Sequence, residues 1–171
     1  IAEEAKQLFV FQRTPNFSIP ARNHKLEKNF HSEFISKIEM WREKMRDSRH
    51  GHPWKSPPKK LCETDEKERS EILENNWKNG GLSFKDCFDD IILDDNSNEI
   101  ISEFIRKKIS EIVEDADTAK SLSPIDHPFA TKRPPIDTNY FETFNRDNVK
   151  LIDLRKNPIK SCHENGIILE D

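Results

Sequence analysis

Apolar residues recur at three- and four-residue spacing in two long segments, and this spacing is typical of amphipathic helices. The first segment runs from Lys25 to Arg46, and we expect it to form one helix whose apolar stripe packs against the rest of the protein. This stripe consists of Leu26, Phe30, Phe34, Ile38, Trp41 and Met45. The stripe of the second segment consists of Ile101, Ile105, Ile109 and Ile112. We expect the second helix to be capped by Asn96, with Glu99 completing a variant of the capping box.

Start and stop residues predict further helices. A helix should begin near Thr64 or Asp65, which are both good N-caps, and should end at Asn79-Gly80-Gly81. A short helix is expected over residues 115–122. Residues 1–7 also have helical propensity.

Four segments predict strands. The continuous run Leu8-Phe9-Val10-Phe11 fits a strand buried on both faces of a parallel sheet. Residues 149–153 alternate as a second strand of a nucleotide-binding sheet. Residues 157–161 and 166–169 are expected to form a hairpin around Glu164-Asn165-Gly166.

The composition limits the classes of partner. Of 171 residues, 33% are apolar and 35% are charged, which suggests that part of the surface is buried against something outside this chain. The net charge of −4 argues against a nucleic-acid or membrane-surface role. Arg106-Lys107-Lys108 is expected to be a solvated face. No apolar run is long enough to cross a bilayer.

Cysteine and histidine offer little candidate chemistry. Cys62, Cys87 and Cys162 are widely spaced, which is typical of idle thiols in a reducing compartment, so a cytoplasmic location is expected. The pair His50-Gly51-His52 lacks a third nearby ligand, so it gives only a weak indication of a metal site.

Arg13 and Thr14 follow the first predicted strand. In dinucleotide-binding folds, an Arg after the second strand accepts the 2′-phosphate of NADP. Arg13 offers a planar set of donors and Thr14 a hydroxyl, although two such residues alone are more typical of a plain turn. A phosphate-binding Gly-x-Gly-x-x-Gly motif is absent from the sequence, whose four glycines stand at 51, 80, 81 and 166.

A second basic motif, Lys132-Arg133-Pro134-Pro135, stands near the other end of the chain. Pro134 disfavours the α conformation at Arg133, so the two cations should leave an extended backbone in roughly opposite directions. One cation could then serve one ligand while its neighbour serves another. The alternative is a solvated basic pair on a proline-rich loop.

Both motifs lie in longer strings that resemble the Baeyer–Villiger monooxygenase family. The strings are Val10-Phe11-Gln12-Arg13-Thr14-Pro15-Asn16-Phe17-Ser18-Ile19-Pro20-Ala21-Arg22-Asn23 and the run from Thr131 to Asn157. The resemblance implies an α/β fold, a partial Rossmann-like NADP-binding domain interrupted by a mainly helical insertion. Residues 1–23 and 127–171 would belong to the NADP-binding domain, and residues 24–126 to the insertion. The FAD site would lie mostly outside this chain.

The resemblance also implies the chemistry. Members of this family use NADPH, FAD and oxygen to insert an oxygen atom beside a ketone carbonyl, which gives an ester or a lactone. Arg133 matches the family's active-site Arg, which stabilises the anionic oxygen species on the flavin. The resemblance implies that Arg133 also binds the cofactor. Lys132 matches the Lys that reaches the 2′-phosphate, which Arg13 and Thr14 would hold from the other side. The implied partners are a ketone, oxygen and the remainder of the same polypeptide.

One loop departs from the family pattern. The chain has Phe88-Asp89-Asp90-Ile91 where the family commonly has Phe-Gly-Asp-Ile, so Asp89 is expected at a position that favours positive φ. Two alternatives to the ketone-oxidising enzyme stay open. One is a related class B flavin monooxygenase that oxidises nitrogen or sulfur. The other is a non-catalytic protein of the same fold.

Overall fold

The computed structural model describes residues 1–48, 51–54 and 59–170. Its α-helices are α1 (Phe30–Ser36), α2 (Ile38–Arg46), α3 (Glu66–Asn79), α4 (Asp95–Ile112) and α5 (Ala116–Leu122). Its strands are β1 (Leu8–Gln12), β2 (Ile19–Pro20), β3 (Ile136–Asp137), β4 (Val149–Asp153), β5 (Ile159–His163) and β6 (Gly166–Leu169). Short 3₁₀ helices span Leu61–Glu63, Leu82–Asp86 and Glu142–Asn145.

The strands join the two ends of the chain. β1 pairs in parallel with β4, with Leu8 opposite Val149, and β2 pairs in parallel with β3. β5 and β6 form the expected antiparallel hairpin. This combination of parallel pairs and intervening helices confirms the predicted α/β class.

The β1 strand is not buried on both faces. Phe9 is 51% exposed and Phe11 37% exposed, whereas Leu8 and Val10 pack against the core. Side chains alternate along a strand, and within the described residues the core covers one face of β1 only. The expectation of a strand buried on both faces is therefore wrong for this chain.

The core lies around α4. Ile101, Ile105 and Ile109 are fully buried, as their spacing predicts, while Ile112 is half-buried. The Phe129 ring contacts the rings of Phe17 and Phe84 edge to face, with centroids 5.6 and 6.0 Å apart. These contacts connect the helical segment to the strands that flank it.

The bounds of α3 and the position of α5 agree with the sequence predictions. The Asp65 carboxylate accepts a hydrogen bond of 2.9 Å from the Glu68 N–H, and Asp115 accepts one of 2.8 Å from the Thr118 N–H. Gly80 ends α3 with a φ of 67°. A Cβ atom at Gly80 would lie 2.2 Å from the Pro20 carbonyl oxygen, so the end of α3 packs directly against β2.

The predicted cap of α4 is wrong. The helix begins at Asp95 because Asp94 is extended and its carboxylate accepts a 2.7 Å hydrogen bond from the Ser97 N–H. Asn96 therefore lies inside the first turn, and Glu99 forms an ion pair with Arg106. Asp94 and Asn96 are both good N-caps, so the sequence did not distinguish them.

The predicted basic face of α4 is only partly solvated. The Lys107 side chain is 74% exposed, but that of Lys108 is 14% exposed and contacts Glu74 and Glu111 at 2.7 and 3.0 Å. The Lys108 ammonium also lies over the Phe104 ring, 5.4 Å from its centroid, where the negative face of the ring attracts a cation.

Two other predicted helices differ from the structure. The segment from residue 25 to 46 begins its helix at Phe30 and is divided at Lys37, whose φ of −111° and ψ of 16° separate α1 from α2. Neither helix buries a residue, so the expected packing of this stripe is not found. Residues 1–7 form a turn, because the Asn148 side chain donates to the carbonyl oxygens of Ala2 and Ala5.

No helix within the described residues is long and apolar enough to cross a membrane.

Candidate functional site

The two basic motifs lie on adjacent segments of backbone. The Ile19 N–H donates to the Pro135 carbonyl at 3.0 Å, and the Ala21 N–H donates to the Asp137 carbonyl at 2.7 Å. The Asn16 side chain adds a third link, from its Nδ2 to the Arg133 carbonyl at 3.2 Å. Residues more than 110 positions apart in sequence are thereby held side by side.

A cavity of about 480 Å³ lies along this junction. It is lined by Val10, Phe11, Gln12, Arg13, Thr14, Asn16, Ser18, Pro135, Asp137 and Tyr140. Arg13 and Thr14 lie at the carboxyl end of β1, which is where ligands bind in open parallel sheets. The structure thus places both predicted 2′-phosphate ligands at one cavity.

The cavity also contains a carboxylate and a phenol that the sequence reasoning did not select. Asp137 accepts hydrogen bonds from the Ser18 hydroxyl at 2.5 Å and from the Tyr140 N–H at 3.0 Å. Burial raises the pKa of Tyr140, and the charge of Asp137 raises it further, so the phenol stays protonated and can donate. Asp137 and Tyr140 thus add groups that suit sugar hydroxyls to a cavity in which the Arg13 cation suits phosphate.

Lys132 and Arg133 precede the cavity-lining residues of the second motif. Both are exposed, and neither is part of the cavity wall described above. Pro134 behind them is buried. The convergence of Lys132 and Arg13 on one phosphate, and the opposite directions of Lys132 and Arg133, stay predictions.

The loop that carries Lys132 and Arg133 is anchored by α4. The Asn98 side chain accepts from the Phe129 N–H at 2.8 Å and donates to the Phe129 carbonyl at 2.9 Å. The next residue, Ala130, has a φ of 66°, a conformation that non-glycine residues rarely adopt. Neither Asn98 nor the strained Ala130 has a local sequence signal, because both depend on contacts across the fold.

The loop that departs from the family pattern has a structural role. Asp89 does not have the positive φ that we expected, so an Asp is accommodated there without left-handed strain. Asp90 is buried, and its carboxylate accepts from the Leu61 N–H at 2.7 Å, the Cys62 N–H at 3.3 Å and the Ser97 hydroxyl at 3.0 Å. Burial of Asp90 opposes ionisation, but these hydrogen bonds outweigh it and lower the pKa of the carboxyl.

Metal and thiol chemistry receive no support from the described residues. Within residues 1–48, 51–54 and 59–170, no cluster of potential ligands could hold a metal ion, and His50 of the weak His-Gly-His motif lies outside them. The three cysteines are free thiols. Burial raises the pKa of Cys87 to about 12, so this thiol is unreactive in the folded protein.

Comparisons with known proteins agree along nearly the whole chain, although no family model matches it. The 2-oxo-Δ3-4,5,5-trimethylcyclopentenylacetyl-CoA monooxygenase of Pseudomonas putida is 37% identical over 171 residues, which are 99% of this chain and 31% of that protein. The phenazine N-monooxygenase PhzNO1 of Lysobacter antibioticus is 36% identical over 98% of this chain and 31% of its own length. A Baeyer–Villiger monooxygenase of Pseudooceanicola batsensis is 32% identical over 97% of this chain and 30% of its own length.

A solved structure shows the same fold. Oxidised steroid monooxygenase bound to NADP superposes with a TM-score of 0.92 and 41% identity, over 98% of this chain and 32% of that one. The chain therefore spans about a third of the length of the relatives that it matches. With this identity and this fold, the chain belongs to the Baeyer–Villiger monooxygenase family.

Proposed function

We propose that this chain is the coenzyme-binding part of an FAD- and NADPH-dependent Baeyer–Villiger monooxygenase, which converts ketones to esters or lactones. In this proposal residues 1–23 and 127–171 belong to the NADP-binding domain and residues 24–126 to its helical insertion. The observation that carries the proposal is the junction of the two motifs, where backbone hydrogen bonds hold residues 19–21 against residues 135–137.

The residues at this junction fit the adenosine side of NADPH. Arg13 supplies a planar set of N–H donors for phosphate oxygens, and Thr14 adds a hydroxyl beside it in the cavity. Lys132, on the neighbouring loop, would approach the same 2′-phosphate as a second, point-like charge. Asp137 at the other side of the cavity can accept hydrogen bonds from ribose hydroxyls.

Arg133 is proposed to act on the reaction itself as well as in cofactor binding. When bound, the flavin supplies the oxygen-activating chemistry, and the residues for its site lie mostly outside this chain. Arg133 would place a permanent positive charge where negative charge develops on oxygen, since a guanidinium does not lose its proton at physiological pH. Pro134 and the Asn16 contact hold its backbone in place beforehand.

Replacing Arg13 and Lys132 with Gln in the complete enzyme should weaken the binding of NADPH strongly and that of NADH only slightly. Each charge-assisted contact to phosphate contributes about 1.5–3 kcal/mol, so the KM for NADPH should rise more than about tenfold for either single change. The measurement is KM for both coenzymes. Lys107→Gln is the matched control, because it removes an exposed charge from α4 and should leave both values unchanged. Equal losses for NADPH and NADH would contradict the 2′-phosphate assignment.

Arg133→Ala in the complete enzyme should leave FAD binding intact and lower ketone oxygenation by a factor of about 10² to 10³. NADPH oxidation should continue, with hydrogen peroxide as its product. Arg133→Lys should rescue poorly, because an ammonium group cannot reproduce the planar guanidinium. The deciding quantity is ester or lactone formed per NADPH consumed, with the exposed Arg42→Ala as control. Coupled turnover near that of wild type would refute the role of Arg133.

A nitrogen-oxidising enzyme is a second candidate, because the phenazine N-monooxygenase is nearly as similar as the first relative. Offering the complete enzyme a cyclic ketone and a phenazine side by side separates the two. We expect an ester or lactone from the ketone to be the main product. An N-oxide as the main product would favour the second candidate, and the absence of both products would favour a non-catalytic protein.

A further inference from the structure

His127 lies at the start of the loop that carries Lys132 and Arg133, and its side chain is only 8% exposed. The edge of its ring packs against Phe17, with centroids 5.4 Å apart. Because the ring is largely shielded from water, its two nitrogens depend on protein atoms for hydrogen bonds. Both nitrogens have such partners.

The two partners of the ring are both oxygen atoms. Nδ1 lies 2.7 Å from Oδ1 of Asp126, and Nε2 lies 3.2 Å from Oδ1 of Asn16. The orientation of the Asn16 amide is set at its other end, where Nδ2 donates to the Arg133 carbonyl. A reversed amide would bring two oxygens together at Arg133, so the Asn16 oxygen must face the ring.

Oxygen acceptors on both sides require two donors on the ring. A neutral imidazole has one N–H, whereas the protonated imidazolium has two. The described arrangement is therefore fully satisfied only when His127 carries a positive charge. In that state a continuous chain of hydrogen bonds runs from Asp126 through His127 and Asn16 to the backbone of Arg133.

We propose that His127 is a positioning residue which, as an imidazolium, holds Asn16 and through it the backbone carbonyl of Arg133. The proposal rests on the proposed function, because it takes Arg133 as the residue being positioned. His127 itself touches neither coenzyme nor substrate in this scheme. It acts by fixing the orientation of one amide.

Several charged groups interact with Asp126, the partner of the ring at Nδ1. Asp126 faces Nδ1 directly, and the hydrogen bond from His127 lowers the pKa of Asp126, with Lys132 adding to this effect. Arg155 also interacts with Asp126 through its charge. The carboxylate of Asp126 thus interacts with His127 and with two further cations, while Asn16 and Phe17 are neutral.

Loss of the proton would release Arg133. The N–H that remains is held best at Nδ1, where its acceptor is a charged carboxylate. Nε2 would then present a lone pair to the Asn16 oxygen, and the amide would have to turn. Its oxygen would face the Arg133 carbonyl, and the contact that holds Arg133 would be lost. While His127 is neutral, the coupling of NADPH use to oxygenation should therefore be lower than while it is charged.

The test compares His127→Gln and His127→Phe with wild type in the complete enzyme. A Gln amide nitrogen stands near the position of Nε2 and donates to Asn16 at every pH. His127→Phe keeps the ring packing and removes both hydrogen bonds. Product formed per NADPH is measured from about pH 5 to 8, together with the KM for NADPH. His163→Phe, on the exposed β5 strand, is the matched control and should titrate like wild type.

We expect coupling in His127→Phe to be low and independent of pH, about five- to tenfold below wild type at low pH, because Asn16 loses the hydrogen bond that orients it. His127→Gln should keep its coupling at high pH, where wild type loses it. The KM for NADPH should change by less than about twofold in both variants, since the contacts to the phosphate stay in place.

The proposal would be overturned if product formed per NADPH depended on pH in both variants as it does in wild type. It would also be overturned if His127→Gln formed no more product per NADPH than His127→Phe. If His127→Phe does not fold, the comparison of wild type with His127→Gln still decides. The Arg133→Ala result separates this inference from the proposed function. If Arg133→Ala keeps coupled turnover, the proposed role of Arg133 itself is refuted. If Arg133→Ala is uncoupled but the His127 variants behave like wild type, only the positioning role of His127 is refuted.

Discussion

Two apolar stripes of the same spacing differ in burial. One lies on α4, and the other runs along α1 and α2. The stripe of α4 is enclosed, with Ile101, Ile105 and Ile109 at 0% exposure. In the stripe of α1 and α2, by contrast, Phe30 is 48% exposed, and Phe34, Ile38, Trp41 and Met45 are only half-buried. The rings of Phe30, Phe34 and Trp41 stack on one another along this surface, with centroids 6.1 and 6.3 Å apart.

The difference lies in the polar groups that surround each stripe. Around α4, buried Asp90 and Asn98 hold neighbouring loops by hydrogen bonds, so the surfaces that cover the isoleucines are fixed in place. Helices α1 and α2 have no side-chain hydrogen bond at their N-caps and bury no residue. Periodicity therefore specifies which face of a helix is apolar, and long-range polar contacts specify what covers that face.

The largest expected difference is in the free energy of unfolding that is lost when one apolar side chain in each stripe is replaced with Ala. Ile105→Ala should destabilise the protein by about 2–5 kcal/mol, because it leaves a cavity in a closed core. Phe34→Ala should cost less than about 1 kcal/mol, because the side chain is already partly in water. Urea unfolding of the 171-residue chain measures both free energies.

Repeating this pair of substitutions in the complete enzyme sharpens the comparison. If Phe34→Ala then costs as much as Ile105→Ala, another part of the polypeptide covers the α1 and α2 stripe. Equal costs in the 171-residue chain itself would show that the two stripes do not differ, and the comparison would fail.

The next effect concerns the contact between the end of α3 and β2. Gly80→Ala should destabilise by more than about 2 kcal/mol, because the new methyl group would collide with the Pro20 carbonyl at a positive φ. Gly81→Ala is the matched control: its φ of 79° is also positive, but a Cβ there meets no atom within 4 Å. We expect it to cost about 1–2 kcal/mol for backbone strain alone. Thermal unfolding of both variants gives the difference, and equal losses would show that the helical segment is not locked to β2.

The smallest expected effect comes from the charge of Asp90. Because the folded-state pKa of this carboxyl is lowered, its contribution to stability is present above the unfolded-state value of about 3.9 and is lost as pH falls through the folded-state pKa. Asp90→Asn should cost about 1–3 kcal/mol at neutral pH, since an amide cannot accept from all three donors. The cost should shrink at an acid pH below the lowered folded-state pKa, where the wild-type carboxyl is itself protonated.

Urea midpoints at the two pH values test this prediction, with the exposed Asp147→Asn as control. A cost of Asp90→Asn that is the same at both pH values would indicate that Asp90 contributes through its shape and not through its charge.

Local patterns predicted most of the regular elements. Correct predictions include the start of α3 at Asp65, the short helix α5, the hairpin and the β1 and β4 strands, because nearby residues determine them. The failures arose where distant residues decide. The turn at residues 1–7 depends on Asn148, and the start of α4 was misplaced between two adequate caps.

The candidate site follows the same rule. The positions of Arg13 and Thr14 at the end of a strand could be predicted from chain order alone, and the structure places both at the cavity. Asn98 and His127 could not be selected, because a single polar residue in a loop or helix has no distinctive local pattern. Their importance comes from partners 31 and 111 positions away.

The pairing of β1 with β4 has a consequence for the order of folding. The Asn148 side chain meets the Ala2 carbonyl across 146 positions, and bringing such distant segments together carries a large entropic cost in an unfolded chain. Contacts between α4 and α5 close much shorter loops and can form earlier. Once the intervening helices are folded, the effective distance between β1 and β4 shrinks. The edge of the sheet that presents Arg13 is therefore expected to assemble last, at a rate set by the helices.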